Sequence, residues 1–253
     1  MAFGQMILRY VLGGEGDDGL AAADRALALD ASLAEAHAVR ARVLADTGRE
    51  DEASAEIDIA LDLDPESYEV NRWAAYLSYR QQRLDDAIRY FEKATTLMDS
   101  DLNSAAMLVS SYTAVGNAQG TLRAARITLA RSEKALAQDP NNGTVLGYSA
   151  YAHAALGEAE RAKERMNRAL LIDPDNWNMR YNFGCVLIIY LKEIDAALDL
   201  LGPVFDKATV GIVNYAKGDP DFAVLRDHPR FQAMIAAAEA RFAAEHDGAS
   251  AKA

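Results

Sequence analysis

The sequence predicts an all-α fold: a right-handed superhelix, an α-α solenoid of about six stacked helical hairpins, closed by a C-terminal capping helix. Three observations predict it. Closing strings recur at a fixed spacing, with ALDA ending at Ala31, LDLDP at Pro65, LAQDP at Pro140 and LIDP at Pro174. Ala31 to Pro65 and Pro140 to Pro174 are intervals of equal length, and Asp99 falls the same distance after Pro65. That interval is about 34 residues, enough for one helical hairpin. Between these marks, small, large and glycine positions recur in phase. No segment of useful length alternates with period 2, so no sheet is expected.

The phase is explicit when each closing residue is numbered 32. Position 20, where two helices must cross closely, is Ala53, Ala87, Ala162 and Ala196. Position 27 is Ala26, Ala60, Ala94 and Ala169, and position 8 is Ala41, Ala75, Ala150 and Gly184. Position 24 carries a larger apolar group: Ile57, Phe91, Met166 and Leu200. Position 15, at the end of each first helix, is Gly14, Gly48, Gly116 and Gly157, where a left-handed residue carries no Cβ penalty. This unit resembles the tetratricopeptide repeat, a helix-turn-helix of the same period. The resemblance covers residues 2–205 and implies repeats at 1–31, 32–65, 66–99, 100–140, 141–174 and 175–205. The expected helices are 2–13 and 17–30, 33–47 and 50–63, 67–81 and 84–98, 102–115 and 118–138, 143–156 and 159–172, and 176–190 and 193–201.

Departures from the period carry information. The interval from Asp99 to Pro140 exceeds one repeat by seven positions. Seven positions are about two helical turns, so the second helix of the fourth repeat should be about 10 Å longer while keeping its face, with a drift of about 20°. Leu191 stands where glycine is expected, and Pro203 follows the expected helix end. Residues 206–244 read as a capping segment: a short helix over 210–217, a turn at Gly218–Asp221, and an amphipathic helix over 230–244. Phe231, Met234, Ile235, Ala238 and Phe242 give that last helix its apolar stripe. The small, polar residues 245–253 are expected to be disordered.

Composition narrows the function. The chain has 253 residues, 51% hydrophobic and 25% charged, enough to bury a core. Its net charge of -12 repels phosphate backbones and anionic bilayers, so neither nucleic acid nor a membrane is an expected partner. The longest apolar run, Phe183–Leu191, is about nine residues where a membrane span needs about 20. The first residues lack a secretion-signal cleavage site, and the expected location is cytoplasmic. The single cysteine, Cys185, excludes a disulfide framework or a thiolate zinc site and reads as a small core or groove residue. His37, His153, His228 and His246 form no i, i+4 metal pair. Gly13, Gly14 and Gly16 lack the Lys-Ser/Thr of a phosphate loop, and 139–143 lacks calcium-loop spacing. No catalytic constellation, metal or cofactor is expected, and the chain reads as a non-enzyme.

What remains is a surface. The tetratricopeptide resemblance implies a concave face lined by positions 2, 5, 9, 12 and 13 of the first helices. Those positions supply Arg42 and Asp46, then Glu69, Arg72, Tyr76, Tyr79 and Arg80. Asn103, Ser110 and Thr113 follow, then Thr144 and Tyr151, then Asn178, Tyr181 and Cys185. Tyrosine and arginine combine contact area with polar tips, so such a lining suits an extended peptide or a partner helix. The expected partner-binding residues are Arg42, Arg72, Tyr76, Tyr79, Arg80, Ser110, Tyr151, Asn178 and Tyr181. Asn182 stands without the lysines of the two-carboxylate clamp, so chaperone-tail binding is not expected. The first repeat starts almost at Met1 with no polar cap, which makes it a candidate surface for pairing with a second copy.

A narrower resemblance covers about residues 118–244. DPDF at 219–222, LRDHPRFQ at 225–232, ALAQDPNNG at 135–143 and MRYNFGC at 179–185 are similar to repeat regions attached to bacterial class III adenylate cyclases and related signalling proteins. That resemblance implies a signalling context. It also implies an alternative role as the regulatory or oligomerising region of a cyclase whose catalytic domain lies upstream.

Overall fold

Capping side chains and left-handed residues set where each helix starts and stops in this protein, whose computed structural model describes residues 16–250. Every regular element among the described residues is helical. The chain divides after Pro140 into two compact units, 1–140 and 141–253. The first holds α1 (Gly16–Leu29), α2 (Ala34–Asp46), α3 (Glu50–Leu63), α4 (Tyr68–Arg80), α5 (Leu84–Leu97), α6 (Leu102–Ala114) and α7 (Ala118–Leu136). The second holds α8 (Gly143–Ala155), α9 (Ala159–Ile172), α10 (Trp177–Val186) running into a π-helical turn (Leu187–Leu191), and α11 (Ile194–Lys207). It continues with α12 (Val210–Gly218), a 3-10 turn (Pro220–Leu225) and α13 (Pro229–Ser250). In the first unit α2 pairs with α3, α4 with α5 and α6 with α7, while α2 also lies beside α4. In the second, α8 pairs with α9 and α10 with α11, α8 lies beside α10, and α13 packs on α11 and α12. The expected helix over 2–13, with Gly13 and Gly14, lies outside the described residues.

Helix starts follow from short polar side chains that accept otherwise unpaired amides. Asp101 accepts from the N–H groups of Asn103 and Ser104 at 2.9 and 3.1 Å. Asn117 accepts from Gly120, Asn142 from Val145 and Asn176 from Met179, at 2.9, 3.1 and 2.9 Å. First helices stop at a left-handed residue, which is Gly48 (φ 79°), Gly116 (70°) and Gly157 (79°). In each case the next amide turns back to a carbonyl five residues earlier: Arg49 to Leu44, Asn117 to Tyr112 and Glu158 to His153, all at 2.9 Å. Gln82 holds the same place at φ 59°, with Arg83 bonded to Ser78.

The in-phase small residues form the seams. Ala53, Ala87 and Ala162 are wholly buried, as are Ala75 and Ala150, with Ile57, Phe91 and Met166 also in the core. The sixth repeat departs from this register. The π turn inserts one residue, the left-handed position moves to Lys192 (φ 58°), and the Glu193 amide bonds to Leu187, six residues back. Everything after it is delayed by one residue. Ala197 and Leu201 are buried where Ala196 and Leu200 were expected. Gly184 keeps its phase, and a Cβ there would stand 2.9 Å from Leu201 Cγ. The expected end of this helix near 201 is also corrected, because α11 runs through Pro203 to Lys207. Pro203 removes one intrahelical hydrogen bond, but continuation buries Val204 and Phe205.

α7 has 19 residues against 14 in α3, α5 and α9, a lengthening that ends at Leu136 rather than Gln138. α13 continues to Ser250, so residues 245–250, expected to be disordered, extend the helix. Alanine and glutamate are strong helix formers there. Arginines fasten the carbonyls at helix ends and in the loops that follow them. Arg131 donates to the carbonyls of Thr95, Asp101 and Met98 at 2.7, 2.9 and 3.3 Å. Arg241 donates likewise to Phe205, Asp206 and Ala208.

Candidate functional site

In the first unit, neighbouring first helices bring a basic-aromatic cluster together. α2 supplies Arg42, and α4 supplies Arg72, Trp73, Tyr76, Tyr79 and Arg80. The guanidinium carbon of Arg42 lies 4.7 Å from the centre of the Trp73 ring, and that of Arg72 lies 4.8 Å from it. Arg72 also approaches the Tyr76 ring, at 5.8 Å. Tyr76 itself is 2% exposed and packs edge-on against Phe91 at 5.2 Å, so its ring is part of the hairpin core. Tyr79 is half-buried.

The arginines differ in how their donors are used. Arg80 donates to the Ala45 carbonyl at 2.8 Å and to Glu50 Oε1 at 2.7 Å, tying α4 to the preceding hairpin. Asp46 lies between two cations, 3.7 Å from Arg42 Nε and 3.6 Å from Arg80 Nη1. Burial nevertheless raises the Asp46 carboxyl above its ordinary range, outweighing both arginines. Arg72 makes a long contact to Glu69, at 3.5 Å, and its charge is also felt by Tyr68 and Asp101 nearby. Ser110 and Thr113 lie on α6, where Thr113 donates back to the Val109 carbonyl. Trp73 was not among the expected site residues. The signal was available: it follows Arg42 by one repeat less one turn, and therefore stands on the adjoining helix at the same level.

The second unit holds the remaining expected residues. Tyr151 on α8 stacks edge-on with Tyr190 of the π turn, rings 5.6 Å apart and hydroxyls 3.2 Å apart. Asn178 accepts a long bond from Asn182 at 3.4 Å. Tyr181 is buried, donates to Asp219 Oδ2 at 2.6 Å and lies against Phe222 at 4.9 Å. These contacts bind α10 to the capping segment. The same place gathers Cys185, Asp219 and Asp221, whose potential ligand atoms lie within 4.8 Å of one another. Burial raises the Cys185 thiol well above its ordinary range, which keeps it protonated and a poor nucleophile. Burial, aided by the neighbouring Asp219 charge, raises Asp221 to about 6. Asp219 is already used by Tyr181 and by the Asp221 amide at 2.9 Å.

A surface depression of about 400 Å³ lies elsewhere, lined in part by Leu61, Pro65, Tyr90 and Thr96. It shares no residue with the expected site, and its rim holds the Lys93–Glu66 ion pair at 2.6 Å.

Residues 117–181 match the tetratricopeptide repeat family. The structure resembles solved proteins of that architecture. One is pilF of Pseudomonas aeruginosa, with 18% identity over 86% of this chain and 96% of that one and a TM-score of 0.53. Another is TTC0263, a thermophilic tetratricopeptide protein of Thermus thermophilus, with 19% identity over 69% and 92% and a TM-score of 0.50. A third is the Cut9–Hcn1 assembly of the APC/C, with 13% identity over 88% and 40% and a TM-score of 0.56. The fold is the tetratricopeptide fold. No curated protein matches the sequence. Tetratricopeptide hairpins are consistent with a protein–protein interaction scaffold, and no described helix is long and apolar enough to cross a membrane.

Proposed function

We propose that this chain is a non-enzymatic scaffold that holds an extended peptide or partner helix against its first helices. The observation that carries the reading is the cluster in which Arg42 and Arg72 flank Trp73 on adjoining first helices, with Tyr79 on the same helix as Trp73. Trp73 is itself buried, so the accessible surface is the two guanidinium groups lying on it together with Tyr79, and arginine and tyrosine are the side chains in which binding energy concentrates at interfaces. Ser110 extends the surface along the first unit and Asn178 lies on the second, where Tyr151 and Tyr181, like Tyr76, are buried. The test is substitution of Arg42, Arg72 and Tyr79 together by alanine, with partner affinity measured by calorimetry. A loss of more than about 2 kcal/mol is expected. Unchanged affinity in a variant with normal helix content contradicts the reading. Tyr76 and Arg80 are left intact in this test because one fills the hairpin core and the other ties α4 to the preceding hairpin.

The similarity of 219–232 to cyclase-associated repeat regions supports a bacterial signalling context in the cytoplasm. Under the alternative, the chain regulates or oligomerises such a cyclase. A catalytic domain in the native reading frame ahead of the repeats supports that alternative. Its absence there, with the groove still binding a partner, leaves the scaffold reading alone. Self-pairing through the first repeat falls largely on residues outside those described, and sedimentation of the purified chain tests it.

A further inference from the structure

We infer that this chain carries a second docking surface, away from the first-helix cluster, where a basic and apolar peptide segment of a partner seats a lysine or arginine side chain. The surface is the depression of about 400 Å³ lined by the end of α3, the loop after it, α4 and α5. Leu61, Pro65 and Tyr90 give it apolar walls. Asn71 of α4 also lines it, although only 3% of that residue is exposed. The Asn71 amide donates both hydrogens, to the carbonyls of Pro65 and Ser67 at 2.9 and 2.8 Å. Two carbonyl partners fix the nitrogen toward them and the oxygen away. That oxygen, Oδ1, accepts no hydrogen bond among the described residues. A buried amide oxygen in that state calls for a donor from outside.

An accounting of charge makes that donor a cation. The charged groups of the lining already have partners: Glu66 holds Lys93 at 2.6 Å, Arg89 holds Asp86 at 3.0 Å and Glu92 holds Arg123 at 2.6 Å. Two carboxylates beside the depression differ. Asp58, Leu61 and Asp62 stand at i, i+3 and i+4, which puts all three on one face of α3. Both aspartates are exposed, and neither has an ion pair or hydrogen bond among the described residues. α3 carries no basic residue of its own to meet them. Asp62 also lies in the last turn of α3, where the helix carbonyls already concentrate negative charge. Carboxylates there weaken the helix, and a partner's cation is the group they suit. The net charge of -12 attracts a ligand of the same sign. The apolar walls favour a hydrocarbon side chain next to the cation, which a bare polyamine lacks.

The experiment measures fluorescence anisotropy of a labelled peptide of alternating lysine and leucine on the full chain. The comparison probes are the same peptide with glutamine in place of lysine, and spermidine as a competitor. Saturable binding of the lysine peptide is expected, at least tenfold tighter than the glutamine peptide and weakening as salt rises. Affinity should fall at least tenfold in Asp58→Asn/Asp62→Asn, and equally in Thr96→Trp, which fills the depression from an exposed lining position. It should hold within twofold in Asp51→Asn/Asp85→Asn, which removes the same charge from two exposed positions outside the depression. Thermal melts by circular dichroism verify the fold, and Asp58→Asn/Asp62→Asn should melt no lower than the parent chain. The inference is overturned if the lysine peptide does not bind, or if either depression variant binds it undiminished. An equal loss in Asp51→Asn/Asp85→Asn overturns it in favour of bulk charge. Displacement by spermidine at lower concentration than by unlabelled peptide overturns it in favour of a small polyamine.

Discussion

Gln82 occupies a left-handed backbone position that its neighbours along the period give to glycine, and the π turn puts Lys192 in another. A Cβ in this region is strained, by about 1–2 kcal/mol. Gln82→Gly and Lys192→Gly should therefore each stabilise the protein, by about 0.5–1 kcal/mol after the entropy cost of glycine. Urea denaturation checks this, and destabilisation would contradict the assignment. A second residue-level consequence concerns charge. Asp221 has its folded pKa raised from 3.8 to about 6. Its favourable contribution is therefore full below 3.8 and disappears as pH rises through about 6, leaving a buried charge at neutral pH. Asp221→Asn should raise stability by about 1–2 kcal/mol at pH 7, a figure reduced for its partial exposure, and by nothing near pH 4. A gain independent of pH would refute the burial of that carboxylate.

Among the elements, most helices were legible in the sequence because their punctuation is chemical. Gly48, Gly116 and Gly157 mark stops, and Asn117, Asn142 and Asn176 mark starts. The π turn was not legible, because Leu187–Leu191 is a run of apolar residues that fits either helical period. One inserted residue then moved every later contact, which is why Ala197 and Leu201 replaced Ala196 and Leu200 in the seam. Arg131 and Arg241 were also unreadable, since a long side chain reaching a carbonyl in the preceding repeat leaves no local pattern. Arg131→Ala should cost about 1–3 kcal/mol by leaving loop carbonyls unpaired, and Arg131→Lys should recover little of it because lysine lacks the fork. Gly184→Ala should cost about 1–3 kcal/mol, because the added methyl meets Leu201 at 2.9 Å. Thermal or chemical melts read both effects.

At the scale of the whole molecule, the repeat period singled out the first-helix positions on which the proposed site rests. Positions 5 and 9 of first helices pointed to Arg72 and Arg42, and the structure adds that Trp73 joins them. The period could not reveal that Tyr76 and Tyr181 are buried, since a ring on the lined face can turn inward where a neighbour leaves room. Tyr181 does so because Asp219 of the capping segment, far along the chain and outside the repeats, accepts its hydroxyl. The most direct test of the account is hydrogen–deuterium exchange on the full chain, free and saturated with a peptide selected for binding to it from a random library without lysine or arginine. Added protection should be confined to α2 and α4 around Arg42 and Trp73. Protection on α3, α5 or α13 instead, or no change anywhere, would contradict it.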